Sequence, residues 1–179
     1  EESVGIPCII KGPNIPAGKV CKTPVSLIDI YPTILKTAGV DPEAKPGTSL
    51  IELANTADNL ERSVFSEYHA MGSATGAFMI RKGHWKFIYY VSMRPQLYNL
   101  FNDPDELNDL GTDVEYADIR SQMEADLRSI CEPEAVDAAA KADQMAIVKA
   151  HGGIEAVLAR GGFGATPPPG TSVEYTNKR

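Results

Sequence analysis

The stretch from Ser63 to Leu100 constrains the fold most strongly, because it holds most of the aromatic residues of the chain. Short segments rich in Val, Ile, Phe, Tyr and Trp alternate there with Gly, Ser and Pro, as is typical of antiparallel strands. Gly83 stands between two apolar runs, in a tight hairpin where glycine can take a positive φ. The sequence therefore predicts a small antiparallel sheet of about four strands that carries the core.

Helical patterns lie on both sides of this stretch. Thr23–Gly39 has apolar residues at helical spacing, and Pro32 fits if the regular helix begins near Asp29. A second amphipathic helix is predicted over Val114–Cys131. An Ala-rich helix is predicted from Glu134 to about His151. The chain thus combines helices with an antiparallel sheet, which indicates an α+β fold.

Two segments near the ends of the chain are predicted from their apolar and Pro/Gly content. Ile6–Lys11 reads as a short buried strand that stops at Gly12 and Pro13. A single strand cannot form a sheet, so we expect its neighbours to lie outside this chain. Residues 161–179 are dominated by Gly and Pro and predict an extended tail.

Composition limits the possible partners and compartments. The formal net charge of −7 argues against a nucleic-acid partner, because phosphate binding needs a basic surface. No run of about 18 apolar residues is present, so no membrane span is predicted. The three cysteines are scattered without paired spacing, which favours free thiols and a reducing compartment such as the cytoplasm. Localisation otherwise stays open, because the sequence begins without Met or a leader and is interpreted as part of a longer protein.

Three segments, in this order and at these distances, resemble the C-terminal part of the sulfatase family, within the alkaline-phosphatase-like superfamily. The first is Glu1–Gly18, with its Pro-Cys-Ile-Ile-Lys-Gly-Pro run. The second is Val25–Gly39, which contains Asp-Ile-Tyr-Pro-Thr-Ile-Leu. The third is Ile80–Glu106, with Arg-Lys-Gly, Trp-Lys-Phe-Ile, Gln-Leu-Tyr-Asn-Leu and Asn-Asp-Pro. Glu67–Ala70 and the Gly-Gly-Phe-Gly run of the tail are more similar to the choline-sulfatase-like branch.

The resemblance implies the C-terminal fragment of an α/β sulfatase fold. Residues 1–50 would be the last strand and helix of the large α/β domain, which is incomplete here. Residues 51–131 would be the C-terminal α+β subdomain, with its antiparallel sheet packed by helices. Residues 132–179 would form a helical extension and a Gly/Pro-rich tail.

The resemblance also implies chemistry that this chain does not itself contain. Sulfatases use formylglycine made from a Cys or Ser in a Cys-x-Pro-x-Arg setting, and a divalent metal, usually Ca²⁺. None of Cys8, Cys21 and Cys131 has that setting. We therefore expect no catalytic residue, metal ligand or cofactor in this chain, and no hydrolysis by the chain alone. The formylglycine and the metal would belong to the parent enzyme.

His69 is the one candidate substrate-pocket residue. It follows the first predicted strand, at a strand end beside small flexible residues, where binding residues gather. The alternative is an ordinary hydrogen-bonded surface histidine. Arg81, Lys82 and Lys86 form a small basic group that is predicted to be a solvated hairpin. The acidic run from Asp103 to Asp109 does not match an EF-hand and predicts a solvated turn.

Three functions follow as hypotheses. The first is the supporting C-terminal segment of a sulfatase, a sulfuric ester hydrolase, which partners the missing N-terminal domain and acts on a small sulfate-ester substrate. The second is a phosphonate monoester hydrolase or phosphodiesterase of the same superfamily. The third is an interaction module in which the Ala-rich helix and the tail reach another subunit. Apolar residues left uncovered would favour self-association.

Overall fold

A computed structural model describes residues 4–42, 45–69 and 73–160. Four strands form one antiparallel sheet in the order β1-β2-β3-β4. The strands are β1 Val64–Tyr68, β2 Ala77–Lys82, β3 Trp85–Tyr90 and β4 Gln96–Asn99. Gly83 turns the chain between β2 and β3 with φ 57°, as the hairpin requires. The predicted α+β class and the four-stranded sheet are confirmed.

The chain divides into two compact units, each of which takes part of every strand. The first unit comprises Glu1–Phe65, Ile80–Lys86 and Leu97–Leu110. The second comprises Ser66–Met79, Phe87–Gln96 and Gly111–Arg179. Both units are discontinuous in sequence, because the division falls within each of the four strands. The boundaries expected at residues 50 and 131 stay a prediction.

The first unit contains two short helices, α1 Ile30–Thr37 and α2 Leu50–Asn55. A 3₁₀ turn over Leu27–Asp29 precedes α1, so Pro32 falls in the first turn of the helix, where its missing N–H costs least. Gly39 follows the helix with φ 75°. The helix predicted over Thr23–Gly39 is therefore present in shortened form. The buried apolar side chains of this unit are Leu50, Ala54, Ile80, Leu97, Tyr98 and Leu110.

The second unit contains the longer helices, α3 Ala117–Arg128, α4 Pro133–Ala150 and α5 Ile154–Ala159. Pro133 is the first residue of α4, the position that tolerates proline best. Both predicted helices are thus confirmed. No helix within the described ranges is long and apolar enough to cross a membrane. The buried apolar side chains described in this unit include Phe78, Phe87, Met123, Leu127 and Pro133.

The segment Ile6–Lys11, predicted as a strand whose neighbours lie outside this chain, does not form a strand in this structure. This segment has no regular structure, and the Ile9 side chain is 94% exposed. A strand needs a neighbour to accept and donate its backbone hydrogen bonds, and the sheet is built from β1 to β4 alone. The apolar run therefore has no partner in the described part of the chain. The predicted tail over 161–179 lies outside the described residues.

Candidate functional site

His69 follows β1 directly, and its side chain is only 21% exposed. The ring packs edge-on against Phe78 of β2, with centroids 5.2 Å apart and an angle of 78° between the rings. This edge-to-face geometry is favourable for aromatic pairs. His69 is thus held by packing against Phe78, and its role as a substrate-pocket residue or as an ordinary surface histidine stays a prediction.

The polar atoms of His69 are used unequally. The backbone carbonyl accepts a hydrogen bond from Gln144 Nε2 at 3.1 Å. The ring Nε2 is buried and has no hydrogen-bond partner among the described residues. Its nearest carboxylate, Glu67 Oε2, is 3.8 Å away, which is beyond hydrogen-bonding distance. A buried ring nitrogen without a protein partner is available to a bound group.

Gly76 lies against the His69 ring at the start of β2. A Cβ added at Gly76 would come within 2.9 Å of His69 Cε1 and 2.8 Å of Phe78 Cε2, closer than carbon atoms pack. Only glycine fits here without moving one of the two rings. The Gly76 N–H donates to Asp137 Oδ1 at 2.7 Å, so α4 holds the backbone beneath the imidazole.

Asp137 is a buried carboxylate on α4, 5% exposed. Lys141, one helical turn later, donates from Nζ to Asp137 Oδ2 at 2.7 Å. Burial by itself raises the pKa of Asp137, but the hydrogen bonds from Lys141 and Gly76 lower it further than burial raises it. Asp137 therefore stays ionised at neutral pH. Sequence analysis missed this residue, because a polar stripe on an Ala-rich helix resembles a solvated face.

A second polar network in the same unit joins α3 to the start of α4. Arg128 donates from both terminal nitrogens to the Glu134 carboxylate at 2.9 Å, and its guanidinium lies 5.0 Å from the centroid of the Tyr89 ring. The Tyr89 hydroxyl donates to Glu134 Oε1 at 2.6 Å. The hydrogen bond from Arg128, followed by that from Tyr89, lowers the pKa of Glu134 to about 2. The saturation of Glu134 by these partners indicates a structural role.

In the first unit the corresponding buried carboxylate is Asp29, which is 0% exposed. It accepts hydrogen bonds from the Ser26 and Thr48 N–H groups, both at 2.8 Å, and from Arg62 Nη2 at 2.6 Å. These bonds join the turn before α1 to the loop before α2 and to Arg62, just before β1. Asp29 therefore organises the backbone of this unit.

The basic hairpin predicted at Arg81, Lys82 and Lys86 is not wholly solvated. Lys86 is 4% exposed, and its Nζ donates to Glu106 Oε1 at 2.6 Å. Burial alone would raise the pKa of Glu106, but the hydrogen bond and charge of Lys86 bring it below its usual value. The prediction of a solvated Lys86 is wrong, because its buried partner lies 20 positions away in sequence and is not visible in the local pattern. Glu106 supplies that partner from the loop after β4.

The acidic run after β4 uses its carboxylates locally. Asp103 accepts hydrogen bonds from the N–H groups of Leu107 and Asn108 at 3.0 and 2.8 Å, and Asp109 accepts one from Leu97. Within residues 4–42, 45–69 and 73–160, no group of three or more His, Cys, Asp or Glu side chains is arranged to hold a metal ion. The residues seen here therefore do not fit the divalent metal that the resemblance implies for the parent.

A family model described as "N-sulphoglucosamine sulphohydrolase, C-terminal" matches residues 1–132. The chain belongs to this sulfatase family. Its match ends just before Pro133, so α4 and α5 follow the family region. The predicted resemblance to the C-terminal part of a sulfatase is confirmed.

The curated relatives of this sulfatase chain include arylsulfatase K of Mus musculus. The two sequences are 37% identical over 142 residues, which is 73% of this chain and 25% of the relative. The chain therefore spans about a quarter of the length of the curated relatives it matches. The likeness to the choline-sulfatase-like branch stays a prediction.

Solved structures agree with this assignment. A sulfatase structure from Bacteroides thetaiotaomicron VPI-5482 is 28% identical with a TM-score of 0.50, and covers 57% of this chain and 23% of that one. A 2-O GAG sulfatase is 25% identical with a TM-score of 0.51, covering 57% and 24%. The predicted fold class, the C-terminal region of a sulfatase, is thereby confirmed.

Proposed function

We propose that this chain is the supporting C-terminal part of a sulfuric ester hydrolase and forms one wall of its substrate site. The observation that carries the proposal is the family match over residues 1–132, in a chain that spans about a quarter of its relatives. The other parts of the site, including the nucleophile, would come from an N-terminal sulfatase domain. None of the three cysteines stands in a Cys-x-Pro-x-Arg sequence.

A formylglycine and a divalent metal such as Ca²⁺ belong to this proposal only through the parent enzyme. When bound, the metal would balance the negative charge of the sulfate group. No residue of the described ranges is assigned to it, because those ranges bring no set of ligands together.

Exposed apolar side chains in the first unit support docking to the N-terminal domain. Leu27, in the 3₁₀ turn before α1, is 67% exposed. Tyr31 is 44% exposed and Ile34 is 61% exposed, and their spacing of three residues places them on one face of α1. Such a face is normally covered in a soluble protein. We propose that the N-terminal sulfatase domain covers it, and that the isolated chain self-associates through it.

The substrate proposed for the parent is a sulfate ester carried by a sugar. The family description names N-sulphoglucosamine, a sugar whose sulfo group is bonded to nitrogen, and it supports the sugar; one solved relative is a 2-O GAG sulfatase, and it supports the ester. The phosphonate or phosphodiester alternative has less support, since the relatives named above are sulfatases. The full-length protein should release sulfate from 4-nitrophenyl sulfate faster than it hydrolyses a phosphonate monoester. The opposite preference would reverse the choice between the two chemistries.

His69 is proposed as the contact of this chain with the substrate. Its buried Nε2 lacks a hydrogen-bond partner in the described part of the chain, and its backbone is fixed by Gln144. In the full-length enzyme, His69→Ala should lower kcat/KM about tenfold to a hundredfold, the effect of losing one hydrogen bond to a charged group. The matched control is His151→Ala, at an exposed site. Equal kcat/KM for both variants would remove His69 from the pocket.

A further inference from the structure

Helix α4 presents a polar stripe toward the residues around the candidate site. Asp137, Lys141 and Gln144 are spaced by four and three residues, so they lie on one face of the helix. A buried carboxylate is costly unless it is paired and hydrogen-bonded. Asp137 is paired with Lys141 and accepts a hydrogen bond from the Gly76 N–H, so its carboxylate is held in the interior by specific partners.

Two residues of this stripe hold the two sides of His69. Asp137 accepts from the N–H of Gly76, whose Cα lies against the His69 imidazole. Gln144 donates to the His69 carbonyl. One rigid helix face therefore fixes both the backbone of His69 and the surface on which its ring rests.

Asp137 and Gln144 lie beyond the region that the family model matches, whereas His69 and Gly76 lie within it. The family match ends at residue 132, and α4 begins at Pro133. The side chains that hold His69 thus come from an element outside the family match. The extension is not a passive spacer, because its helix reaches back to the end of β1 and the start of β2.

We propose that Asp137 and Gln144 are positioning residues through which helix α4 sets the orientation of His69 in the substrate site. This proposal has two parts. The functional part, that His69 contacts the substrate, rests on the proposed function; the geometric part, that Asp137 and Gln144 hold His69 in place, rests on the contacts described above. Lys141 keeps the Asp137 carboxylate ionised and oriented through its 2.7 Å hydrogen bond.

The geometric part is tested by amide hydrogen exchange and ¹H–¹⁵N spectra of the 179-residue chain. Asp137→Ala should speed exchange of the Gly76 amide at least about tenfold and shift the His69 ring signals, because the acceptor is removed. Asp137→Asn should restore much of the protection, since an amide oxygen can still accept the bond. Asp143→Ala, at an exposed site on the same helix, is the control.

Gln144→Ala provides a milder variant in case Asp137→Ala does not fold. It removes only the bond to the His69 carbonyl and should shift the His69 ring signals while leaving Gly76 protected. If the Gly76 amide and the His69 ring signals keep their wild-type behaviour in folded Asp137→Ala and Gln144→Ala, the proposal is overturned.

The functional part is tested by kinetics of the full-length enzyme with 4-nitrophenyl sulfate. Asp137→Ala should raise KM about tenfold with kcat within about twofold, as expected when a group that binds substrate is misplaced. The His69→Ala/Asp137→Ala double variant should show no further increase over His69→Ala, because both changes remove the same contact. Additive effects would overturn the assignment of Asp137 to His69. If His69→Ala leaves the kinetics unchanged while Asp137→Ala speeds exchange of the Gly76 amide, His69 does not contact the substrate. The contacts by which Asp137 and Gln144 hold His69 would then still stand.

Discussion

In the described part of the chain, each unit contains one buried aspartate that ties loop backbone to a cation, and the two differ in what they hold. Asp29 is fully buried, accepts from two backbone N–H groups and pairs with Arg62, which is 17% exposed. Asp137 accepts from one backbone N–H and pairs with Lys141, which is 40% exposed. Asp29 fixes the backbone that precedes α1, α2 and β1. Asp137 fixes the surroundings of one candidate functional residue. The comparison teaches that similar chemistry anchors loop backbone in one unit and, in the other, holds the surroundings of His69, the proposed substrate contact.

The largest effect is expected from Asp29→Ala. It leaves Arg62 without its buried partner and two backbone donors unsatisfied, so the free energy of unfolding should fall by about 3–5 kcal/mol. Urea denaturation followed by circular dichroism measures the loss. The control is Asp41→Ala, at an exposed site, which should change the free energy of unfolding by less than about 0.5 kcal/mol. A loss as small as that of the control would mean that Asp29 is not an anchor.

A smaller effect is expected from Asp137→Ala. Lys141 is partly exposed and can be rehydrated, so the main cost is the unpaired N–H of Gly76, about 1–3 kcal/mol. The same denaturation experiment measures it beside Asp29→Ala. If Asp137→Ala destabilises the chain more than Asp29→Ala does, the distinction between the two aspartates fails.

Local patterns in the sequence predicted the elements that depend on local physics. The sheet from Ser63 to Leu100 follows from its aromatic and β-branched runs, and α1 follows from apolar spacing with Pro32 in its first turn. Ile6–Lys11 forms no strand here, because an apolar run can form a strand only where a partner strand is present to accept and donate its backbone hydrogen bonds. Composition cannot supply that partner.

The candidate site was only half predictable. His69 stood out because it follows a strand. The hydrogen bonds that hold it and its neighbour Gly76 in place come from residues that are far away in sequence, with separations of 75 and 61 positions. Asp137 and Gln144 carry no local signal of burial, since polar residues on an Ala-rich helix resemble a solvated face. The buried Lys86–Glu106 pair was missed because the two residues are 20 positions apart, so the local sequence does not show that they meet.

The smallest effect is expected from acid titration of the Arg128–Glu134–Tyr89 network. The pKa of Glu134 is lowered to about 2 in the folded chain, whereas a glutamate in an unfolded chain has a pKa of about 4.3. The ionised form therefore stabilises the fold above about pH 4.3, and this stabilisation is lost as the pH falls toward 2. Because Glu134 is 48% exposed, solvent screening limits its contribution to about 0.5–1 kcal/mol.

Glu134→Gln tests this network. The difference in unfolding free energy between wild type and the variant should be full at pH 6 and shrink between pH 4.3 and pH 2. Glu155→Gln, at an exposed site, serves as the comparison and should differ little from wild type at pH 6. A difference for Glu134→Gln that stays constant down to pH 2 would show that its charge contributes nothing.

The most direct test of the central claim compares sulfate release from 4-nitrophenyl sulfate by the full-length protein and by this 179-residue chain, each with Ca²⁺ present. We predict turnover by the full-length protein and none above the blank by the chain. Turnover by the isolated chain would contradict the account, because it would place a complete reactive centre within these residues.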